Sequence, residues 1–203
     1  TILSAQSATE VYLIDLLSVN DKYAIANPVN ISNNPGYDNQ PSFTKNGRSV
    51  LFASTRNGQT DIVSYNIRNG KKKWLTDTDG GEYSPLQIGS SNAFSAIRLD
   101  PDGHQRLYKY SMYSGKSKVL VKDLKIGYHC WTGRGRLVSF VLGDPHTLQL
   151  NNIKLNKNKI MDDTIGRTIL KLPKSTRVAY ISKKNEQWMI NTIDPNSGEI
   201  GRA

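Results

Sequence analysis

An internal repeat limits the folds that are open to this chain. Its clearest strand-like segments are SVLFAST, AFSAIRL, LVSFVLG and VAYISKK, which begin at residues 49, 93, 137 and 178 and are thus spaced by 44, 44 and 41 residues. In each repeat, polar and apolar residues alternate in four short runs bounded by turns rich in Gly, Asn and Asp. A fixed period of this length with four strands per unit is typical of propeller blades. We therefore predict an all-β fold, namely a β-propeller of four-stranded antiparallel blades.

The repeat assigns the whole chain, 1–203, to one propeller domain with about four and a half blades of an expected six. The predicted blades are 9–32 (partial), 40–77, 83–123, 128–163 and 167–203. In the partial blade, EVYLIDL aligns with the third strands of the other repeats and NPVNIS with the fourth strands. A longer loop is predicted between them, at 17–27. A ring of six blades would need further strands, so we expect the chain to be incomplete at its C-terminus.

The composition argues against several kinds of protein. The formal net charge is +10, but the lysines cluster in turns such as NGKKKW and SGKSK, where they protect sheet edges. No basic stretch is interleaved with aromatic residues, so we do not expect nucleic-acid binding. No apolar run reaches about 18 residues, so we do not expect membrane insertion. Cys130 is the only cysteine, which excludes an internal disulfide framework, and its place in YHCWTG predicts a buried strand residue.

The second repeat, from NPGYDNQ to KKKWLTD, matches a known repeat pattern, P-x-[FW]-[ST]-P-D-G-[KR]-x-[IVL]-x-[FY]-x-S. The matching positions are Pro41, Phe43, Gly47, Arg48, Val50, Phe52 and Ser54. On these residues the chain resembles the WD40-like (PD40) repeat of TolB-type propellers, although Lys45 and Asn46 replace the Pro-Asp of that pattern. The segments GEYSP, QRLYKYS, GYHCW and FVLGDPHTLQL extend the likeness and are similar to secreted TolB-like proteins of the Bacteroidetes.

The resemblance implies a six-bladed ring and export to the periplasm or the cell surface. The chain starts TILSAQ, without Met or a charged leader segment, so we expect a processed form. Relatives with this repeat include the Pal-binding component of the Tol system and the propellers that gate prolyl oligopeptidase-type peptidases. Because one fold serves such different functions, the resemblance does not choose among them.

Candidate functional residues lie where the chain enters each inner strand and in the turns between second and third strands. The inner strands of a propeller line its central channel, and these loops and turns share one face. The predicted ligand-binding residues of this channel face are Tyr37, Asp38, Glu82, Tyr83, Arg98, Tyr128, His129 and Arg167. A structural role is the alternative for each of them, because such a Tyr also stacks between blades and such an Asp or Glu also caps its own turn.

The residue types favour binding over catalysis. Arginine pairs with carboxylates and tyrosine packs on sugar rings, so we predict an interaction module for a protein, peptide or carbohydrate (glycan) ligand, with no cofactor. The alternative is a hydrolase or lyase that uses Glu82, Asp38 and His129 in the channel. A third hypothesis is a recognition module attached to another domain. An incomplete ring also allows a homodimer.

Other catalytic and metal signals are weak. The sequence has no Gly-x-Ser-x-Gly, HExxH or Walker motif. His104 and His146 lie in turns and are predicted to be exposed, so we expect no metal site built on several histidines. The segments 77–82 and 99–103 resemble calcium loops, but both lack the glutamate at the twelfth loop position, and we expect no calcium there.

Overall fold

The computed structural model describes residues 8–133 and 135–203, which form eighteen β-strands. The strands are β1 (Tyr12–Val19), β2 (Lys22–Asn30), β3 (Asp38–Phe43), β4 (Ser49–Arg56), β5 (Gln59–Asn66), β6 (Lys72–Trp74), β7 (Gly81–Gln87), β8 (Ala93–Leu99), β9 (Gln105–Ser111), β10 (Ser117–Val121), β11 (Ile126–Gly133), β12 (Arg136–Val141), β13 (Thr147–Asn152), β14 (Lys157–Asp163), β15 (Ile165–Lys171), β16 (Val178–Ser182), β17 (Met189–Ile193) and β18 (Ile200–Arg202). Within these residues no helix is long and apolar enough to cross a membrane.

Sixteen of the strands form four antiparallel sheets, each with its four strands in chain order. We name them blade 2 (β3–β6), blade 3 (β7–β10), blade 4 (β11–β14) and blade 5 (β15–β18), while the hairpin β1–β2 is blade 1. The first strands β3, β7, β11 and β15 together surround one cavity and are therefore the inner strands. The predicted β-propeller of four-stranded antiparallel blades is confirmed.

The apolar core lies between neighbouring blades rather than inside any single sheet. The junction of blades 2 and 3 buries Leu51 and Ile62 from one blade against Phe94 and Tyr110 from the next. Equivalent clusters fill the other three junctions. Because each strand alternates its side chains between two faces, blades 2, 3 and 4 each contribute apolar residues to two junctions. Cys130 is buried in one of these clusters, as predicted.

The predicted loop at 17–27 is wrong, because most of it is strand. β1 continues to Val19 and β2 begins at Lys22, and the two pair closely, with Leu16 opposite Ile25. The connecting residues Asn20 and Asp21 both have positive φ, 50° and 58°. Asn and Asp tolerate this conformation, and two-residue hairpin turns require it. The Asn-Asp pair was the signal for the hairpin.

Candidate functional site

Two of the inner strands are interrupted at a proline. In β3 the register shifts between Asn39 and Ser42, around Pro41, and in β7 it shifts between Tyr83 and Leu86, around Pro85. Proline has no N–H to donate, so it is accommodated in a sheet at such a bulge. The residues before the two prolines, Gln40 and Ser84, have φ of 55° and 52°. The bulges place both of these polar residues on the central cavity.

The cavity at the centre, which we call the channel cavity, has a volume of about 500 Å³ and receives residues from all four inner strands. This volume falls within the range usual for ligand sites. Its polar residues include Gln40, Ser84, His129 and Arg167, and Ile169 is among its apolar ones. An adjoining compartment of about 290 Å³ shares Gln40, Ser84, Tyr128 and Arg167 with it and adds Tyr83.

His129 lines the channel cavity and is fixed from one side. Its Nε2 lies 2.7 Å from the Ser95 Oγ of blade 3, and the Trp131 indole N–H donates to the same oxygen at 2.8 Å. The Ser95 hydroxyl donates its one proton to the Leu86 carbonyl at 3.2 Å, so its oxygen is free to accept from the His129 ring as well as from Trp131. Which ring nitrogen carries the hydrogen depends on the tautomer. Nδ1 is buried and has no partner among the described residues.

The charge state of His129 follows from its burial. Desolvation lowers the pKa of the ring to about 3, because an imidazolium would lose its hydration there. The side chain is thus neutral near pH 7, with one ring nitrogen that donates and one that accepts. A general base that works near neutral pH needs a pKa close to the working pH, which His129 does not have.

Arg167 supplies the only formal charge among the residues that line the channel cavity in the described structure. Its side chain is exposed, and no salt bridge within the described residues engages it. Ser84 adds a second buried polar atom, its Oγ, which has no partner among the described residues. A guanidinium without an ion pair beside a hydroxyl that can donate suits a ligand that accepts hydrogen bonds.

Asp38 lies outside the channel cavity, in the junction between blades 1 and 2. It is 1% exposed, and the Asn34 side chain donates to its Oδ2 at 3.2 Å. Nearby, the Ser32 hydroxyl accepts from the Val11 N–H at 2.9 Å and donates to Glu10. Burial raises the pKa of Asp38 above its ordinary value, because the charged form is desolvated.

Glu82 occupies the equivalent place in the junction between blades 2 and 3. It is fully buried and accepts a hydrogen bond from Thr78, while Thr76 accepts from the Ile62 N–H at 2.8 Å. Burial, and beyond it the charge of Asp61, raise the pKa of Glu82 to about 7. Each of these residues corresponds in position to one around Asp38: Thr78 to Asn34, Thr76 to Ser32 and Ile62 to Val11. The two junctions therefore contain the same polar arrangement. A repeated arrangement of this kind is typical of structure rather than of a single active site.

Arg98 and Tyr37 are engaged inside the blades. The Arg98 guanidinium stacks on Tyr108 at 3.7 Å from the ring centroid and pairs with Asp100. Tyr37 packs edge-on against Tyr83, with ring centroids 6.2 Å apart, and borders the core between blades 2 and 3. Neither lines the channel cavity or its adjoining compartment. The guanidinium of Arg98 is held by Asp100, which directly follows its own strand.

The structure thus brings together four of the eight predicted residues, namely Tyr83, Tyr128, His129 and Arg167. The other four, Tyr37, Asp38, Glu82 and Arg98, do not line the two compartments. The sequence analysis missed Gln40 and Ser84. The signal for them was a proline in the middle of a strand pattern, which marks a bulge.

Metal-ligating side chains are dispersed. Across residues 8–133 and 135–203, no group of three or more His, Cys, Asp or Glu residues lies close enough to hold a metal ion. His104 is exposed, as predicted, but His146 is half-buried, with its ring 4.9 Å from that of Phe140. In the segment 99–103, Asp100 pairs with Arg98 and Arg106.

Comparison with known proteins supports the fold. No family model and no curated protein matches the chain. The structure of TolB from Acinetobacter baumannii matches 94% of this chain and 47% of its own chain, with a TM-score of 0.69 and 18% identity. A chain of a nidogen/laminin complex matches over 95% of this chain and 74% of its own chain, with a TM-score of 0.70 and 12% identity. An oligogalacturonate lyase in complex with manganese matches over 86% of this chain and 55% of its own chain, with a TM-score of 0.65 and 12% identity.

The chain has a TolB-like β-propeller fold. Identities this low establish the fold alone. The chain spans about half of the TolB structure, so the activity of such a whole protein does not transfer to it.

Proposed function

We propose that this propeller is an exported interaction module that binds a protein, peptide or glycan in the channel cavity. The observation that supports it is a difference in residue type: hydrogen-bond donors and an arginine line the cavity, whereas the predicted acids lie outside it. Ser84 and His129 line the cavity and each has a buried polar atom without a partner in the described structure, where Arg167 also forms no salt bridge. The acids Asp38 and Glu82 lie in the blade junctions instead. A site that has donors but no poised acid or base suits retention of a ligand better than turnover.

The fold comparisons agree with this proposal without deciding it. One matched chain comes from a nidogen/laminin complex, so propellers of this shape occur in protein–protein assemblies. The likeness to TolB and the repeat resemblance support export to the periplasm or the cell surface. Recovery of the native protein in a periplasmic or extracellular fraction would test the location, and recovery in the cytoplasm alone would contradict it.

The geometry does not favour the hydrolase or lyase alternative, even though an oligogalacturonate lyase shares the fold. That alternative requires Asp38, Glu82 and His129 to act together. In the described structure no hydrogen bond joins any two of them, and each belongs to a different blade junction. We therefore give binding as the function.

The test is a binding screen with matched arginine variants. Purified protein is screened on peptide and glycan arrays, and the affinity of each ligand found is measured by calorimetry. Because a lost charge-assisted hydrogen bond costs about 1.5–3 kcal/mol, Arg167→Ala is expected to weaken binding about tenfold or more. Arg48→Ala, at an exposed residue outside the channel cavity, is the control and should leave the affinity unchanged.

Two results would contradict the proposal. Equal affinity of the Arg167→Ala variant and the wild-type protein for every ligand would place binding outside the channel cavity. Conversion of a ligand that is lost specifically in a Glu82→Gln variant would instead establish an enzyme.

A further inference from the structure

The polar groups around the channel cavity include several hydrogen-bond donors. Arg167 has a charged guanidinium with no ion-pair partner in the described structure. Gln40 accepts a hydrogen bond from the Ser84 backbone N–H through its Oε1, at 2.9 Å, so its NH₂ group is left for the cavity. The Ser84 hydroxyl belongs to a residue that lines the cavity, and it is buried without a partner among the described residues. A buried polar group without a partner is unfavourable, so a ligand that pairs with this hydroxyl recovers that cost.

The donors are not matched by acids. No carboxylate is among the residues that line the channel cavity in the described structure. The nearby acids Asp38 and Glu82 are buried in the junctions, and burial raises the pKa of both. The formal charge on the cavity wall is therefore that of one arginine. An anion is attracted to such a wall, whereas a cation is repelled by it.

The wall of the cavity beside these donors is apolar. Pro41, Pro85 and Leu86 come from blades 2 and 3, and Ile169 comes from blade 5. Leu86 and Ile169 are half-buried and Pro85 is buried, so they present a limited apolar surface to a ligand. A small inorganic anion would leave this surface unused, whereas an aliphatic group would cover it and remove it from water.

We propose that the channel cavity binds a carboxylate attached to an apolar side chain, as found at the C-terminus of a peptide that ends in leucine. Arg167 receives the carboxylate, the Gln40 amide and the Ser84 hydroxyl donate to its oxygens, and the prolines with Ile169 contact the side chain. This inference rests on the proposed binding function and narrows it to one ligand class. An acidic sugar offers the same carboxylate but places hydroxyl groups against the apolar wall, which is unfavourable.

The experiment uses the three histidines as reporters. Protein labelled with ¹⁵N in its histidine rings is titrated with N-acetyl-leucine, with its amide N-acetyl-leucinamide, and with galacturonate and galactose. The His129 signal is identified by its absence in a His129→Gln variant. N-acetyl-leucine is expected to shift that signal saturably, and the amide to bind at least tenfold more weakly. Arg167→Gln should weaken binding about tenfold or more, while the control Arg48→Gln should not change it.

Each other outcome overturns the inference. If the amide binds as well as the acid and Arg167→Gln weakens both, the carboxylate is not recognised, although the proposed binding function survives. If galacturonate binds and N-acetyl-leucine does not, the ligand class is wrong. If no probe shifts the His129 signal at up to about 10 mM, the cavity has no useful carboxylate affinity. The array screen then decides separately whether the binding function also fails.

Discussion

Glu82 shows how a residue that suggests catalysis can serve structure. Its Oε1 accepts from Thr78 and from the Tyr110 hydroxyl, while its Oε2 and both oxygens of Asp61 have no other partner in the described structure. The carboxyl groups of Glu82 and Asp61 are both buried and adjacent, and Arg56 lies 3.6 Å from Asp61. Desolvation by burial, and after it the charge of Asp61, raise the pKa of Glu82, so this carboxyl group holds its proton more readily than an exposed one would.

Replacement of the Glu82 carboxyl group by the carboxamide of glutamine gives a prediction at the residue scale. The pKa of Glu82 is about 7 in the folded protein against an ordinary value of 4.5. The stabilisation that Glu82 adds to the free energy of unfolding is therefore fully present below pH 4.5 and is lost as the pH rises through 7. Glutamine has no proton to lose, so Glu82→Gln should gain stability relative to wild type above pH 7, by about 1–3 kcal/mol. Urea unfolding at pH 5 and pH 8 measures this change.

The control for this prediction is Glu186→Gln, because Glu186 is exposed. That variant should show the same difference from wild type at both pH values. A Glu82→Gln protein that is less stable than wild type at pH 8 would show that the folded protein needs the charged carboxylate.

At the scale of elements, single polar side chains join neighbouring blades near the channel. Ser95 in β8 contacts both His129 and Trp131 of β11, across the junction of blades 3 and 4. In the same way, the Ser42 hydroxyl of β3 donates to the Pro85 carbonyl of β7 at 2.6 Å. These bonds hold the inner strands in a fixed register to one another, which positions the donors of the channel cavity.

Loss of the Ser95 hydroxyl should therefore destabilise the junction. Ser95→Ala would leave the Trp131 N–H and the His129 Nε2 without their partner, and each unsatisfied group costs about 1–3 kcal/mol. We expect a loss of about 2 kcal/mol or more in the free energy of unfolding. Ser90→Ala, at an exposed turn residue, is the matched control and should change stability little. Equal stability of the two variants would mean that the Ser95 bonds contribute no net stability.

At the scale of the whole molecule, the hairpin of blade 1 carries strongly exposed apolar residues. Leu16, Tyr23 and Ile25 are 68%, 75% and 75% exposed. In the described structure β1 pairs only with β2, whereas the third strands of the other blades pair on both sides. Exposed apolar strands with an open edge favour association.

Self-association should therefore depend on this hairpin. The protein is expected to form dimers or larger species as its concentration rises to about 100 µM, and a Tyr23→Ser, Ile25→Ser variant should shift that equilibrium towards monomer. Ile160→Ser, at a strand residue that is 61% exposed in blade 4, is the control and should not shift it. Sedimentation velocity distinguishes the species. A wild-type protein that remains monomeric at that concentration would contradict the prediction.

The architecture could be predicted from the sequence because its determinants are local. Alternation along each strand and Gly, Asn or Asp at the turns define the repeat without knowledge of any long-range contact. The second strand of each full blade places one aromatic residue in a junction, Phe52, Phe94, Phe140 or Tyr180, and all four are almost fully buried. The turn at Asn20 was equally local but was overlooked.

The composition of the site depended on contacts that the sequence does not display. Asp38 and Gln40 are two residues apart in β3, and Glu82 and Ser84 are two residues apart in β7. In a regular strand both members of each pair would face the same side. The bulges at the prolines break that rule, so the acids lie in the junctions and the neutral residues reach the cavity. Strand alternation and turn chemistry thus determined the fold. Whether a side chain of an inner strand lies in a blade junction or on the cavity was decided by how adjacent blades pack.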